Sequence, residues 1–391
     1  MNVPSLDFIK HTVREKGLFY CVKFCKKQII LSVIWVVRSS FKRLAWVFPS
    51  FQFIFWGKKI QSKRILAIWD LQAVPYSIGD LLNLNQAMLC LSYIHKVEKI
   101  DICFVCDPKR PARYPDHTKI IDLKNYQYHL NPLIPIIQIN QKFGSFFLFD
   151  SYLDLERFID KNLERYIIWP QARKYFVKEG YTENFNFIIK FFEKHGFIPF
   201  ISCQLYTLEW ASNFIKKNSL PLIPIVVHIR NNPISRVYSN SRVEAWLDFF
   251  NFCNGRYPVK FFLIGLKKEI DVRFHTLPNV LIVKDYHTTL EEDLALIQIS
   301  PLYLGVPSGM AQMAIFSDKP YLLVNFQTAH ESIPSGAQIP FAKEFQKIIW
   351  ESETGAMLIE EFSKLYSSND FKSWERQINT MEYCESKIRI R

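Results

Sequence analysis

Short apolar runs alternate with helically spaced ones along most of this chain. RILAIWD (64–70) is a compact apolar run, LLNLNQAMLCLSYIHK (81–96) repeats its apolar side chains three and four residues apart, and KIDICFVCD (99–107) is a second compact run. Runs of the first kind, bounded by polar residues, predict buried strands, and the second spacing predicts a helix. A strand, a helix and a strand in that order favour a parallel sheet covered by helices. IPIIQIN (134–140), SFFLFD (145–150), RYIIWP (165–170) and FIPFIS (197–202) predict further strands in the same half.

KKNSLPLIP (216–224), with two prolines behind a polar lead-in, reads as a linker, after which the alternation restarts. Strands are expected at IVVHIR (225–230), VKFFLIG (259–265), NVLIVKD (279–285), LYLG (302–305) and YLLVN (321–325). Helices are expected at SRVEAWLDFFNFCN (241–254), LEEDLALIQI (290–299) and MAQMAIFS (310–317), and AMLIEEFSKLY (356–366) adds a helical pattern near the end. The expected fold is α/β, with two Rossmann-like domains facing across a cleft. The first domain spans 64–215, the second spans 222–345, and C-terminal helices follow at 346–391. A cleft between two such sheets is a usual place for a ligand.

Charge changes the picture at one end only. The formal net charge is +12, yet residues 1–64 hold 13 Lys/Arg against 2 Asp/Glu, and the remaining 327 residues hold 36 against 35. The basic segment is also apolar, with QIILSVIWVV at 28–37 and LAWVFPSFQFIFWG at 44–57, separated by Arg38, Lys42 and Arg43. Neither run reaches the roughly 20 apolar residues that a spanning helix needs. Lys and Arg interleaved with Trp and Phe instead predict that residues 1–63 lie on an anionic membrane surface, unless they pack on the protein itself. Nucleic acid is not expected as a partner, because the charge is confined to a hydrophobic segment instead of a polar basic face. The C-x-x-C spelling at Cys103 and Cys106 falls inside a strand, where positions three apart point to opposite faces. Buried reduced thiols are the reading, with no metal clamp.

Candidate chemistry gathers where strands end. In PLYLGVPSGMAQMAIFSDKPYLLVN (301–325), Ser308 and Gly309 fall between a strand and a helix, where unpaired amides favour an anion. An N-cap serine with a turn glycine is the plainer alternative. His228 and Arg230 close the strand at 225–230, and Arg236 follows in the loop. A guanidinium matches a phosphate bidentately, and such charge-assisted bonds are worth about 1.5–3 kcal/mol. Asp80, in Ile78-Gly79-Asp80 after the first strand, is placed either to take a proton from an acceptor hydroxyl or to cap a helix. No D-x-D motif stands between a strand and a helix.

YSIGDLLNLNQAMLCL (76–91) resembles the opening loop and helix of heptosyltransferases, in which a Gly-Asp pair follows the first strand and the Asp serves as catalytic base. DLALIQISPLYLGVPSGMAQMAIFSDKPYLLVN (293–325) resembles the nucleotide-sugar half of the same GT-B glycosyltransferases. The family pattern there is Asp-Ser-Gly-x-x-His; this chain has Pro307 at the Asp and Gln312 at the His. FIKKNSLPLIPIVVHIR (214–230) and RVYSNSRVEAWLDFF (236–250) are similar to a bacterial group of GT-B glycosyltransferases, and GT-B fucosyltransferases also end a comparable strand in His-x-Arg with the Arg on the donor phosphate. The resemblance covers 64–110 and 214–326.

It implies a metal-independent transferase, inverting at the anomeric carbon, with no resident cofactor and a nucleotide-sugar donor as substrate. Asp80 would be the base, and His228, Arg230, Arg236, Ser308, Gly309 and Gln312 would hold the donor's diphosphate and nucleotide. Together with residues 1–63 it implies a peripheral protein on the cytoplasmic face of the cell membrane. There it would extend a lipid-linked saccharide toward a surface polysaccharide or lipopolysaccharide. Two other readings use the same scaffold: a sugar-nucleotide epimerase, and a non-catalytic membrane-associated protein of the GT-B type.

Overall fold

The structure is a computed structural model describing residues 64–72, 77–107, 109–110, 130–170, 180–232, 239–326 and 333–368. Residues 1–63 and Arg236, to which the sequence assigns roles, lie outside the described residues.

Two parallel sheets organise the described chain. The first has the strand order β3-β2-β1-β4, built from β1 (Arg64–Asp70), β2 (Lys99–Val105), β3 (Phe143–Phe149) and β4 (Tyr166–Trp169). Helix α1 (Ile78–His95) crosses from β1 to β2, and α2 (Ile134–Gln138) precedes β3. Helix α3 (Tyr152–Asn162) leads to β4, and α4 (Gly180–His195) packs beside α1. At the amino edge Asp101, 0% exposed, accepts hydrogen bonds from Arg64 Nε (2.7 Å), the Ser145 amide (2.7 Å) and the Tyr166 hydroxyl (2.8 Å). One carboxylate thus ties four strands together, and its desolvation is offset by these donors.

Helix α5 (Leu205–Ser219) leads into the second sheet through a three-residue turn at 220–222. That sheet comprises β5 (Ile223–His228), β6 (Val259–Ile264), β7 (Val280–Ile282), β8 (Leu302–Gly305), β9 (Tyr321–Leu323) and β10 (Gln346–Ile348), in the order β10-β9-β8-β5-β6-β7. Its helices are α6 (Val243–Cys253), α7 (Leu290–Ile299), α8 (Ala311–Ile315) and α9 (Gly355–Ser367). Thr289 opens α7 with a reciprocal capping box to Glu292, which fixes the helix start where the sequence places it.

Alternation along the strands sorts side chains into layers. Leu66, Ile68, Cys103 and Val105 pack under α3, and Ile225, Val227, Phe261 and Leu263 pack under α6 and α9. The opposite faces of both sheets contribute to one apolar cluster that also holds α1, α7 and α8 and runs from Ile65 to Ile348. The two sheets therefore share a core between them, in addition to meeting at their edges. Polar bonds fasten the same seam. Gln298 accepts from the Cys203 amide (2.8 Å) and donates to Ser202 Oγ (2.8 Å), and Glu291 accepts from Thr207 Oγ1 (2.9 Å).

Some expectations change. The run 134–140 opens as the short helix Ile134–Gln138 behind a 3-10 turn at Asn131–Leu133, because Pro132 and Pro135 preset helical φ there, and a short apolar run does not by itself distinguish strand from helix. FIPFIS (197–202) is extended and buries Ile198 and Ile201, but joins no ladder; Pro199 has no amide to give one. Residues 346–348 form an outer strand of the second sheet, and α9 packs Leu358 and Phe362 against α6, so the stretch from 346 to 367 continues that half. Among the described residues no helix is long and apolar enough to cross a membrane.

Cys103 and Cys106 do face opposite layers, and the five described cysteines are free and buried. Burial pushes their thiols up, Cys106 to about 11 and Cys90 and Cys253 to about 12.

Candidate active site

Helix α1 begins three residues earlier than its apolar spacing implies, so Gly79 and Asp80 sit in its first turn. Ser77 has extended backbone (φ −134°, ψ 146°) and caps the helix: its Oγ accepts from the Asp80 amide at 3.1 Å. The same hydroxyl donates to Asp80 Oδ2 at 2.7 Å. The carboxylate is thereby oriented, and it stands in the first turn of an 18-residue helix. The sequence's alternative of Asp80 as the cap of a helix is therefore corrected: Ser77 is the N-cap of α1, and Asp80 stands three residues on, bonded to it.

The strand β8 ends at Gly305, and the chain passes through Pro307, Ser308 and Gly309 into α8. Ser308 Oγ accepts from the Ala311 amide at 3.3 Å, so the serine closes its own turn. Helix α8 has five residues, fewer than the eight-residue helix expected at 310–317. Its N-terminus therefore offers a single turn of amides without the macrodipole of a long helix.

Gly309 has a reason for lacking a side chain that sequence alone does not disclose. A Cβ there would stand 2.8 Å from the Gly79 amide nitrogen and 2.8 Å from Ile78 Cβ; a Cβ on Gly79 would stand 3.1 Å from Gly309 Cα and 3.5 Å from Gln312 Cγ. The first turn of α1 and the turn before α8 thus touch backbone to backbone. The helix that follows β1 and the turn that follows β8, one from each sheet, meet at this contact, which brings the backbone next to Asp80 together with Ser308, Gly309 and Gln312.

His228 is the last residue of β5, in register with Ile264 of β6 and Gly305 of β8. It is 8% exposed; burial first, and the neighbouring Arg230 second, bring its pKa down to about 4, so at neutral pH it is an uncharged imidazole. It can hydrogen-bond a donor but supplies no charge against a phosphate. Its Nδ1 is buried and has no hydrogen-bond partner among the described residues.

Arg230 lies two residues beyond the strand, so its direction is not set by strand alternation. Ser241 holds its backbone, accepting from the Arg230 amide through Oγ (3.1 Å) and donating its own amide to the Arg230 carbonyl (2.8 Å). Asn240 and Asn232 close the same neck reciprocally, at 3.0 and 2.8 Å, and Glu269 receives Asn232 Nδ2 at 3.3 Å.

Gly265, Ser241 and Glu269, to which the sequence assigns no role, also shape the site, together with Gly305. Gly265 follows β6 at φ +121°, and a Cβ there would come within 3.1 Å of the His228 ring. A Cβ at Gly305 would stand 2.7 Å from the His228 carbonyl oxygen and 3.2 Å from the Tyr303 hydroxyl. Ser241 and Glu269 pin the neck. The sequence does hold a signal for the glycines: FFLIG and LYLG, the two strands flanking His228, both end in Gly. No comparable signal marks Ser241 or Glu269. Among the described residues no three His, Cys, Asp or Glu side chains group as metal ligands.

No family model matches the chain, and no curated protein matches it either. Among solved structures it is similar to E. coli ADP-heptose lipopolysaccharide heptosyltransferase II, at 10% identity over 77% of this chain and 98% of that one (TM-score 0.49). It is similar also to the glycosyl transferase family 9 protein from Veillonella parvula, at 11% identity over 83% and 97% (TM-score 0.45). A third is the E. coli heptosyltransferase WaaC with ADP-2-deoxy-2-fluoro heptose, at 13% identity over 77% and 99% (TM-score 0.40).

Proposed function

We propose that this chain is a glycosyltransferase that moves a sugar from a nucleotide-sugar donor to a hydroxyl of a saccharide acceptor. The observation that supports the reading is the contact between Gly79 and Gly309, where the first turn of α1, which carries Asp80, meets the turn at Ser308 and Gly309. Asp80, steadied by Ser77, takes the proton of the acceptor hydroxyl as its oxygen attacks the anomeric carbon. The bond to the nucleotide diphosphate breaks on the opposite side, so a single base gives inversion. Negative charge grows on the departing diphosphate, and Arg230 offsets it in place of a metal ion. Neutral His228 and the turn at Ser308–Gln312 add uncharged hydrogen bonds. The basic aromatic segment 1–63 fits an acceptor that is lipid-linked and held at the cytoplasmic face of a membrane, in surface-polysaccharide or lipopolysaccharide synthesis.

A thermal-shift screen of GDP-, UDP-, ADP- and CMP-sugars tests the donor half, because a ligand that binds the folded state alone raises its Tm. One nucleotide class is expected to raise it, and Arg230→Ala to weaken that ligand by about ten- to a hundredfold in calorimetry, the range of a charge-assisted bond. No shift with any donor, or undiminished affinity in the variant, sinks the assignment. The capping bonds of Asp80 favour a second reading, a non-catalytic protein on the same scaffold. Donor binding without transfer to any acceptor would select it.

A further inference from the structure

The last turns of α1 and α4 carry an aromatic surface that neither the core nor the proposed site uses. Tyr93 is 50% exposed, Ile94 41% and Phe197 41%. Tyr93 meets Phe197 edge-on at 5.1 Å, Phe191 at 5.6 Å and His195 at 5.6 Å, with Phe191 buried beneath. Both helices stop in left-handed residues, Lys96 at φ 53° and Gly196 at φ 76°. The second of these turns the chain so that Phe197 folds back onto Tyr93. The rings are therefore held in place and presented outward.

We infer that this surface rests in the headgroup layer of an anionic membrane, with Tyr93, Ile94 and Phe197 inserted and lysines on lipid phosphates. Charge is the first argument. Lys96, Lys99, Lys142, Lys190 and Lys194 stand on these helix ends and the adjoining strand starts, against Glu98 and Glu193. Aromatic side chains ringed by lysine match the interface between acyl chains and anionic headgroups. Position is the second argument. A helix that follows a strand in a βαβ unit returns to the amino edge of its sheet, so the patch opens at the edge where β1 begins. Arg64, in register with Lys99, is at that edge, and the 63 preceding residues join the chain there. Size is the third. A stable protein interface takes about 800 Å² from each partner, and three exposed apolar side chains fall short of that. This inference does not rest on the proposed activity.

Hydrogen–deuterium exchange of the full chain, with and without vesicles, tests it. Vesicles with 30% phosphatidylglycerol are expected to bind the protein and protect peptides covering 90–98 and 191–199, and pure phosphatidylcholine vesicles are not. Tyr93→Ser with Phe197→Ser should weaken vesicle binding about tenfold, in keeping with the apolar area withdrawn from lipid. Lys96→Glu with Lys194→Glu should weaken it on the anionic vesicles alone. The inference fails if the unaltered protein does not bind these vesicles, or binds them while both peptides exchange at their free rates. It also fails if protection grows with protein concentration in the absence of lipid, which would assign the patch to a second copy.

Discussion

The first turns of α1 and α8 invite comparison, because each follows the carboxyl end of a central strand and each is closed by a serine. Ser77 Oγ receives the amide of Asp80, and Ser308 Oγ receives the amide of Ala311, three residues on in both cases. There the likeness ends. Helix α1 is 18 residues long and has an acid in its first turn; α8 is five residues long and has none. The long dipole faces a carboxylate, while the short one offers an anion little beyond a few amides. On the second sheet the positive charge must therefore come from a side chain, and the reading gives that part to Arg230. Under the proposed function the two sheets would divide the chemistry, one supplying a base and the other a cradle for a leaving group.

Replacing the base should break this division most severely. Asp80→Asn is expected to keep donor binding in calorimetry while transfer, followed with a radiolabelled donor, falls by about 10²–10⁴-fold, the usual contribution of a general base. Undiminished transfer would reduce Asp80 to a capping residue and erase the contrast.

Next comes the charge state of the cradle. His228 has a folded pKa near 4 against an ordinary 6.5, so the unfolded chain binds its proton first as pH falls. The stability tied to neutral His228 is complete above pH 6.5 and is lost between 6.5 and 4, by about 3 kcal/mol at the acid end. Chemical denaturation of the wild type and of His228→Gln at pH 7, 5.5 and 4 should show the variant losing less across that window. Parallel curves would mean that His228 titrates normally.

The smallest effect concerns the contact itself. Gly309→Ala places a methyl group 2.8 Å from backbone and should cost about 2 kcal/mol, whereas Gly79→Ala, at 3.1 Å, should cost less. Equal Tm values for both variants and the wild type would mean that the two turns do not touch in solution.

Elements with strong local signals were legible in the sequence. β1 and β8 are found at the expected residues, and α7 matches end to end because Thr289 and Glu292 encode its start. Legibility failed where the deciding partner is distant in sequence. The strand β10 exists only because β9 offers it a ladder, and Gln346 secures it by donating to the carbonyls of Ser317 (2.9 Å) and Lys319 (2.8 Å). The apolar run at 197–202 looks like a strand, yet it forms none; its backbone is held by single bonds such as the Ser202 amide to the Ile139 carbonyl (3.3 Å). At the site, Asp80, His228 and the 305–309 turn were readable as strand-end chemistry. The reason for Gly309 was not, because it depends on Gly79, 230 positions earlier in the chain. Arg230 was readable as a cation, but its backbone is held by Ser241, a residue with no signature of its own.

The six-stranded sheet tapers at its rims: β7 and β10 have three residues each, beside a six-residue β5 near the centre. An edge that short offers a stray strand only a few hydrogen bonds, too few for lasting association. When molecules crowd together, this half of the protein thus gives little purchase for runaway self-stacking, a protection that comes from geometry and needs no charged guard residues.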